Sequence, residues 1–509
     1  MPESSSTPAI TGAPQSVSRR DELVMRVLIV SAFTVILNET VMGVAIPHLM
    51  SDLGITAIAA QWLTTAFLLT MAVVIPITGF LLQRYPTRPL YIGAMSLFVA
   101  GTTLAALAPG FEVLLVARVI QAGGTAVMLP LLMTTVISLV PERERGRRMG
   151  TIGVVISVAP ALGPTISGLI LSVLPWRFLF VFVLPVALTV LVFGILRMRS
   201  TNEPRRSRID VLSVGLSAVG FGSLVFGLSL IGESAEGDLG SALGAIALGV
   251  AVLAVFVWRQ IVLQRGDIPL LDLRVFAVRT FSVATAMFVV SMIAMFGTII
   301  LLPLFMQNVL GLSVLSSGLL LLPGGLTMGL LAPLIGRAYD RIGPRPLLLP
   351  GTVLIATALW AMALSLDAAT HWWVLLASHV TLSVGLALVF TPLFSASLGA
   401  LPRRLYSHGS ATVSTMQQVA AAIGTALFVS TMTAVALSEA DAGVGSVPAE
   451  AAGIRAAFMV GAILATLGIG LATLIRRPES AEGQIATGTP ADAVAAGEPD
   501  GAGAPVPLH

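Results

Sequence analysis

Gly79-Phe-Leu-Leu-Gln-Arg-Tyr-Pro-Thr-Arg-Pro-Leu90 and Gly336-Arg-Ala-Tyr-Asp-Arg-Ile-Gly-Pro-Arg-Pro-Leu347 repeat one pattern 257 residues apart. Gly79 and Gly336, Arg84 and Arg341, Arg88 and Arg345, and Pro89 and Pro346 coincide. Gln83 stands against Asp340, and Pro86 against Gly343. Each copy follows an apolar run long enough to cross a bilayer, about 20 residues as a helix. Working outward, such runs lie near residues 23–47, 57–82, 89–108, 113–140, 149–174, 178–196, 211–231, 241–263, 280–306, 314–335, 346–366, 372–396, 409–437 and 454–475. The repeated loop follows the second run and the tenth. The chain therefore reads as two six-helix halves, 23–196 and 279–475, separated by two extra spans within 197–278. The fold class is all-α and integral to a membrane. Residues 1–22, rich in Ser and Pro, and 476–509, rich in Ala, Gly, Pro and acids, read as disordered tails.

Composition points the same way. Of 509 residues only 10 % are charged, 56 % are hydrophobic, and mean hydropathy is +0.96. A soluble chain carries about 25 % charge to keep its surface wet, so here lipid is the solvent. There is no Cys, which excludes disulfides and thiolate chemistry, and no Lys, which excludes a P-loop and a lysine Schiff base. No ATP-driven pump resides in this chain. Its energy source is an ion gradient or a separate subunit. A net charge of +3 gives no reason to expect nucleic acid, and nothing calls for a cofactor, a metal or an obligate protein partner.

The charges are sorted by side. Apart from Arg118, Arg177 and Arg455, the remaining 25 of 28 arginines fall in, or at the span ends next to, the N-terminal tail, the loops after spans 2, 4, 6, 8, 10 and 12, and the C-terminal tail. The opposite loops carry mostly acids, among them Asp52, Glu112, Asp367, Glu439 and Glu450. Positive residues stay cytoplasmic, which predicts a multi-pass protein of the cell membrane with both termini inside. Glu39 and Arg118 are the only residues among Asp, Glu, Lys and Arg placed deep in the spans. Glu39 lies eight residues before Pro47, about 12 Å along span 1, and Arg118 six residues after Glu112, about 9 Å along span 4. Matching depth allows them to face one another. A carboxylate in such a place is pulled towards protonation by desolvation and towards ionisation by a nearby cation. The pair is a candidate proton-coupling site, with a permanent structural ion pair as the alternative.

Several motifs resemble the fourteen-span drug:proton antiporter branch of the major facilitator superfamily. They are Leu37-Asn-Glu-Thr-Val-Met-Gly-Val-Ala-Ile-Pro47, Gln61-Trp62-Leu-Thr-Thr, Arg118-Val-Ile-Gln121-Ala-Gly-Gly124, Ala159-Pro160-Ala-Leu-Gly163-Pro164-Thr-Ile-Ser-Gly168, and Pro303-Leu-Phe-Met-Gln307-Asn308-Val-Leu-Gly311. The resemblance implies a multidrug exporter of amphipathic small molecules. Its antiporter motif would be carried by Pro160, Gly163, Pro164 and Gly168, and its inward gate by Arg84, Arg88, Asp340, Arg341 and Arg345. Asn38, Met42, Gln61, Gln121, Gln307, Asn308 and Gln417 are candidates for the substrate cavity. The chain departs from the branch in having Asn38 where Asp is usual, with Glu39 one residue round the helix, a turn of about 100°. It departs again in the first gate loop, where Gln83 replaces Asp, so the second loop is expected to bear more of the clamp through Asp340 with Arg341 and Arg345. The arginine-rich run Pro141-Glu-Arg-Glu-Arg-Gly-Arg-Arg148 reads as a plain basic turn. His379 in span 12 is a weaker candidate for proton relay.

The expected activity is export of lipophilic, cationic or neutral drugs in exchange for protons by alternating access. The alternatives are a dedicated exporter of one metabolite or antibiotic and a non-transporting sensor on the same scaffold. A membrane-embedded enzyme would need clustered His, Asp or Ser at one depth, which the spans lack.

Overall fold

A computed structural model of the chain describes residues 18–55, 57–141, 144–201, 210–233, 239–266 and 269–475. Most described residues are helical, and 14 helices are long and apolar enough to cross a membrane. These are α1 (Arg19–Leu53), α2 (Ala57–Arg84), α3 (Thr87–Ala106), α4 (Phe111–Leu139), α5 (Arg145–Leu171), α6 (Arg177–Arg197), α7 (Val211–Glu233), α8 (Leu239–Gln264), α9 (Arg279–Leu304), α10 (Val314–Ile342), α11 (Arg345–Ser365), α12 (Trp372–Gly399), α13 (Tyr406–Asp441) and α14 (Ser446–Leu474). A π turn, Phe305–Val309, prolongs α9, and a 3-10 turn, Leu273–Ala277, precedes it. Helices are the economical answer to a solvent without hydrogen bonds, because each satisfies its own backbone. The even count returns both described ends to one face of the bundle, called here the terminal face.

The expected tail boundary at residue 22 is corrected. Helix α1 begins at Arg19, because the Ser18 side chain accepts from the Asp21 amide at 3.1 Å and Asp21 and Glu22 sit in the positive first turn. The tails 1–17 and 476–509 lie outside the described residues. Helices α1–α6 pack on one another, as do α9–α14, and the two groups meet along α5/α10, α2/α13, α4/α13 and α5/α12. Helix α7 lies against both α2 and α13, and α8 packs on α7.

The two groups meet through small residues at the terminal end. Backbone of α10 at Gly336 and Ala332 approaches Gly146 and Gly150 of α5 so closely that a Cβ at either glycine of α5 finds no room. Towards the middle, Gly329 of α10 opposes Val158. Polar contacts cross the same end. Thr134 of α4 meets the Ser410 hydroxyl at 2.5 Å, and Arg145 donates to the Tyr406 hydroxyl at 3.2 Å. The groups are thus locked together at the terminal face.

Candidate functional site

Arg118 is the largest of the fully buried side chains, 1 % exposed. It reaches across from α4 to α2, donating from Nε to the Leu63 carbonyl at 3.4 Å, while its guanidinium carbon lies 4.1 Å from the centre of the Phe67 ring. The Gln121 Oε1 one turn along accepts from Nη1 at 3.1 Å. The Gln121 amide then donates to the Thr102 hydroxyl of α3 at 2.9 Å. Gln121, expected in the substrate cavity, is instead completely buried, with both ends of its amide engaged. In this conformation it holds Arg118, and the three-residue spacing on one helix face brings the two side chains together.

Glu39 is half-buried on α1. Its carboxylate and the Arg118 guanidinium act on each other electrostatically, yet among the described residues no ion pair of 4.0 Å or less joins them. A permanent salt bridge is therefore not what this conformation contains. Asn38, the neighbouring residue, is buried at 2 % exposure, and its Nδ2 has no hydrogen-bond partner.

The proline- and glycine-rich part of α5 packs on α1 immediately after Glu39. Gly163 leaves no space between its backbone and Thr40, and the Ser167 hydroxyl donates to the Val41 carbonyl at 2.9 Å. These contacts fall on the two residues that follow Glu39 on α1. Gly168 faces open space and Pro160 is half-buried. The Pro164 and Gln61 side chains lie outside the described residues.

The other expected cavity residues separate. Met42 is packed into an apolar cluster with Leu37, Val41 and Ala45. Gln307 is half-buried in the π turn. Asn308, expected in the cavity, is exposed at the face opposite the termini and donates to Glu450 of α14 at 2.7 Å. The π turn rotates it outward. Gln417 and Gln418 on α13 carry buried side-chain atoms without partners, Oε1 and Nε2 respectively. The His379 Nδ1 is likewise unpartnered, with its ring against Gly324 and Ser383.

At the terminal face the clamp differs from the expected one. Asp340 accepts from the backbone amides of Gly146 at 2.7 Å and Arg147 at 2.9 Å, at the amino end of α5. Arg341 and Arg345 are exposed, and no described hydrogen bond or ion pair joins them to Asp340. The correction has a plain cause, since a carboxylate finds in a helix N-terminus two free donors and a favourable dipole. The run 141–148, read as a plain basic turn, supplies those donors. Gln83, the repeat counterpart of Asp340, reaches the amino end of α13, donating to the Ser407 hydroxyl at 3.0 Å and the Arg404 carbonyl at 3.4 Å. Arg84 lies over the Tyr85 ring at 5.9 Å. Arg88 donates to the Ile195 carbonyl of α6 at 2.8 Å, within the first group of helices, so it does not bridge the groups. Arg177, an exception to the sorting of arginines, is explained by Asp52, which receives both its Nη1 at 3.3 Å and the Trp176 indole at 2.7 Å.

Comparison with known proteins adds kinship. Residues 28–425 match the family model described as Major Facilitator Superfamily. An MFS-type transporter of Bacillus subtilis, YcnB, is 40 % identical over 459 residues, 90 % of this chain and 95 % of that protein. The lincomycin resistance protein LmrB of Listeria monocytogenes is 40 % identical over 454 residues, 88 % of this chain and 95 % of its own. A multidrug resistance protein B homolog of Mycobacterium tuberculosis is 30 % identical over 391 residues, 77 % and 72 % of the two chains. Among solved structures, the human organic anion transporter MFSD10 superposes with a TM-score of 0.62 at 16 % identity, covering 89 % of this chain and 100 % of that one. The proton:xylose symporter XylE gives 0.61 at 15 %, covering 91 % and 97 %. At those identities the likeness is one of fold.

Proposed function

The chain belongs to the major facilitator superfamily, and from that premise we propose that it exports lipophilic, cationic or neutral amphipathic drugs in exchange for protons. The observation that carries the reading is the arrangement of Arg118 and Glu39. Neutral groups (the Leu63 carbonyl, Gln121 and the Phe67 face) hold the guanidinium in place. Its position therefore does not depend on the charge of Glu39, and the carboxylate is free to gain and lose a proton beside a fixed cation. The α5 contacts at Thr40 and Val41 link the residues next to Glu39 to a helix that also forms the terminal clamp. Proton occupancy at Glu39 and closure at Asp340 are in this way joined through one helix.

The arginine-rich terminal face is cytoplasmic on this reading. The conformation described is closed to the cytoplasm, with α1–α6 and α9–α14 as the two bodies that rock. A proton from outside neutralises Glu39, cargo leaves, and the carrier resets. The resistance proteins among the relatives support drugs as cargo. The lincomycin resistance protein, named for a single antibiotic, favours a narrower second reading, a dedicated exporter of one compound.

Reconstitution into proteoliposomes with an imposed pH gradient tests the coupling. The expected result is gradient-driven drug efflux that Glu39→Gln abolishes while binding of the drug persists. Efflux of undiminished gradient dependence in Glu39→Gln would falsify the assignment. Competition for efflux by chemically unrelated compounds distinguishes the broad exporter from the dedicated one.

A further inference from the structure

The two extra helices are the part of the molecule to which the proposed exchange assigns no task. On α7 the residues Ser213, Ser217, Phe221 and Val225 recur every fourth position and are all buried. Such a stripe marks one helix face. That face lies along the seam between the two groups, because α7 touches both α2 and α13. Phe221 and Val225 share one apolar cluster with Ala72 and Phe80 of α2, Phe256 of α8, Leu270 and Leu271 of the following connector, and Ala411 of α13. Helix α8 backs α7 and turns Leu248, Trp258 and Ile261 outward.

The attachments on the two sides of the seam differ in kind. Towards the second group, polar and directional bonds are added to the apolar packing on Ala411. Gln260 of α8 accepts from the amides of Leu270 at 2.8 Å and Leu271 at 3.2 Å, and itself donates to Ser213 of α7 at 2.8 Å. The next amide, Asp272, donates to the buried His408 Nδ1 of α13 at 3.3 Å. Asp272 then caps the 3-10 turn, binds Arg274 at 2.7 Å, and the turn runs into α9, where the Ser282 hydroxyl donates to the Phe276 carbonyl at 2.6 Å. Asp210 and Arg259 close the hairpin with two bonds, 2.7 and 2.9 Å, and the guanidinium holds the Asp210 carboxyl below its usual range. Towards the first group, the described contacts on α2 are apolar: the shared cluster, the Trp62 and Phe226 rings at 5.8 Å, and Gly222 over Val73. Apolar faces slide at small cost, whereas buried hydrogen bonds resist separation.

We propose that the α7–α8 hairpin moves as one body with α9–α14 and glides over α2, so that it covers the α2/α13 seam throughout the transport cycle. The proposal rests on the alternating-access reading. Its structural consequence is that this side of the cleft stays shut to lipid, and lateral access from the bilayer is confined to the α5/α10 side.

The chain has no native cysteine, so pairs of spin labels can be placed without removing any. Ile261 (α8), Leu196 (α6) and Leu474 (α14) are all outward-facing and lie towards the terminal face. Distances among Leu196→Cys, Ile261→Cys and Leu474→Cys, taken two at a time, are read by electron–electron double resonance. The readings are taken at acid and neutral pH and with Asp340→Asn added to open the terminal face. The expected result is an Ile261–Leu474 distance that holds while Ile261–Leu196 shifts in step with Leu196–Leu474. An Ile261–Leu196 distance that holds while Ile261–Leu474 shifts overturns the proposal and leaves alternating access standing. A Leu196–Leu474 distance that never shifts removes the rocking itself, and the proposal with it. Adding His408→Ala provides a second reading, with a broadened Ile261–Leu474 distribution expected. A distribution as narrow as before shows that the connector does not fasten the hairpin and counts against the proposal.

Discussion

The ends of α2 and α10 are copies of one loop doing unequal work. At the end of α10 a carboxylate, Asp340, receives two amides at the amino end of α5. At the end of α2 an uncharged amide, Gln83, donates to a hydroxyl and a carbonyl at the amino end of α13. Both loops reach the same repeat-related place, since Arg147 and Arg404 are themselves 257 residues apart. Only one places negative charge on a positive helix end. Charge-assisted hydrogen bonds contribute about 1.5–3 kcal/mol, against about 0.5–1.5 for neutral ones. The α5/α10 side is thus the stronger half of the closure, and its glycine contact is also the tighter one.

Breaking the stronger side is expected to have the largest effect. Asp340→Ala leaves the Gly146 and Arg147 amides without their acceptor, and the closed state should lose about 1.5–3 kcal/mol. That is about a tenfold to hundredfold shift towards the state open at the terminal face. A single cysteine at Thr134, now packed against Ser410, reports it as faster alkylation from the terminal side. An unchanged labelling rate would show that Asp340 does not bear the closure.

Gly146→Ala attacks the same side by bulk. The added methyl meets the Gly336 backbone and the Asp340 carboxylate, and overpacking of this kind costs about 1–3 kcal/mol. The Thr134 reporter should again label faster. Gly168→Ala, whose methyl enters open space, is the matched control and should leave the rate unaltered.

The outcome at this face shows what the sequence made legible. The repeat, the number of spans and the choice of Asp340 as a candidate follow from periodicity and from matching residues at a fixed offset. The partner of Asp340 does not. Backbone amides have no letter in a sequence, so a helix end is visible only once its boundary is known, and arginines Arg341 and Arg345 next to the acid drew the assignment instead. The same holds for Gln121, whose chemistry fits a cavity as well as a clamp until the depth of α3 fixes Thr102 beside it. Glu39 and Arg118 were legible because charge within a span is rare. Their separation beyond 4.0 Å was not, since depth along two helices says nothing of how the side chains turn.

Sharpening the weaker side should give a smaller effect of opposite sign. Gln83→Asp makes the two loops alike by placing a carboxylate at the amino end of α13. An acid at that position stabilises a helix end by about 0.3–1 kcal/mol. The closed state should gain up to about fivefold, with slower Thr134 labelling. Combined with Asp340→Ala, it should restore part of the lost closure. A Gln83→Asp chain that labels faster would mean that the Ser407 and Arg404 contacts matter more than the charge.

The smallest effect is expected at Arg88, although its counterpart and its motif place it in the gate. Its guanidinium donates to the Ile195 carbonyl near the end of α6, a helix that packs on α3 and α1. That bond lies wholly inside the first group and is neither made nor broken when the groups separate. Arg88→Gln should therefore leave the Thr134 labelling rate within about 0.5 kcal/mol of the parent, while lowering thermal stability slightly because an exposed charge-assisted bond is lost. A shift as large as that of Asp340→Ala would mean that the arginine changes partner during the cycle. The distinction that follows is one of topology. Of two residues in repeat-related loops, the one that bonds across the cleft is expected to shift the equilibrium, and the one that bonds within a group to hold only that group together.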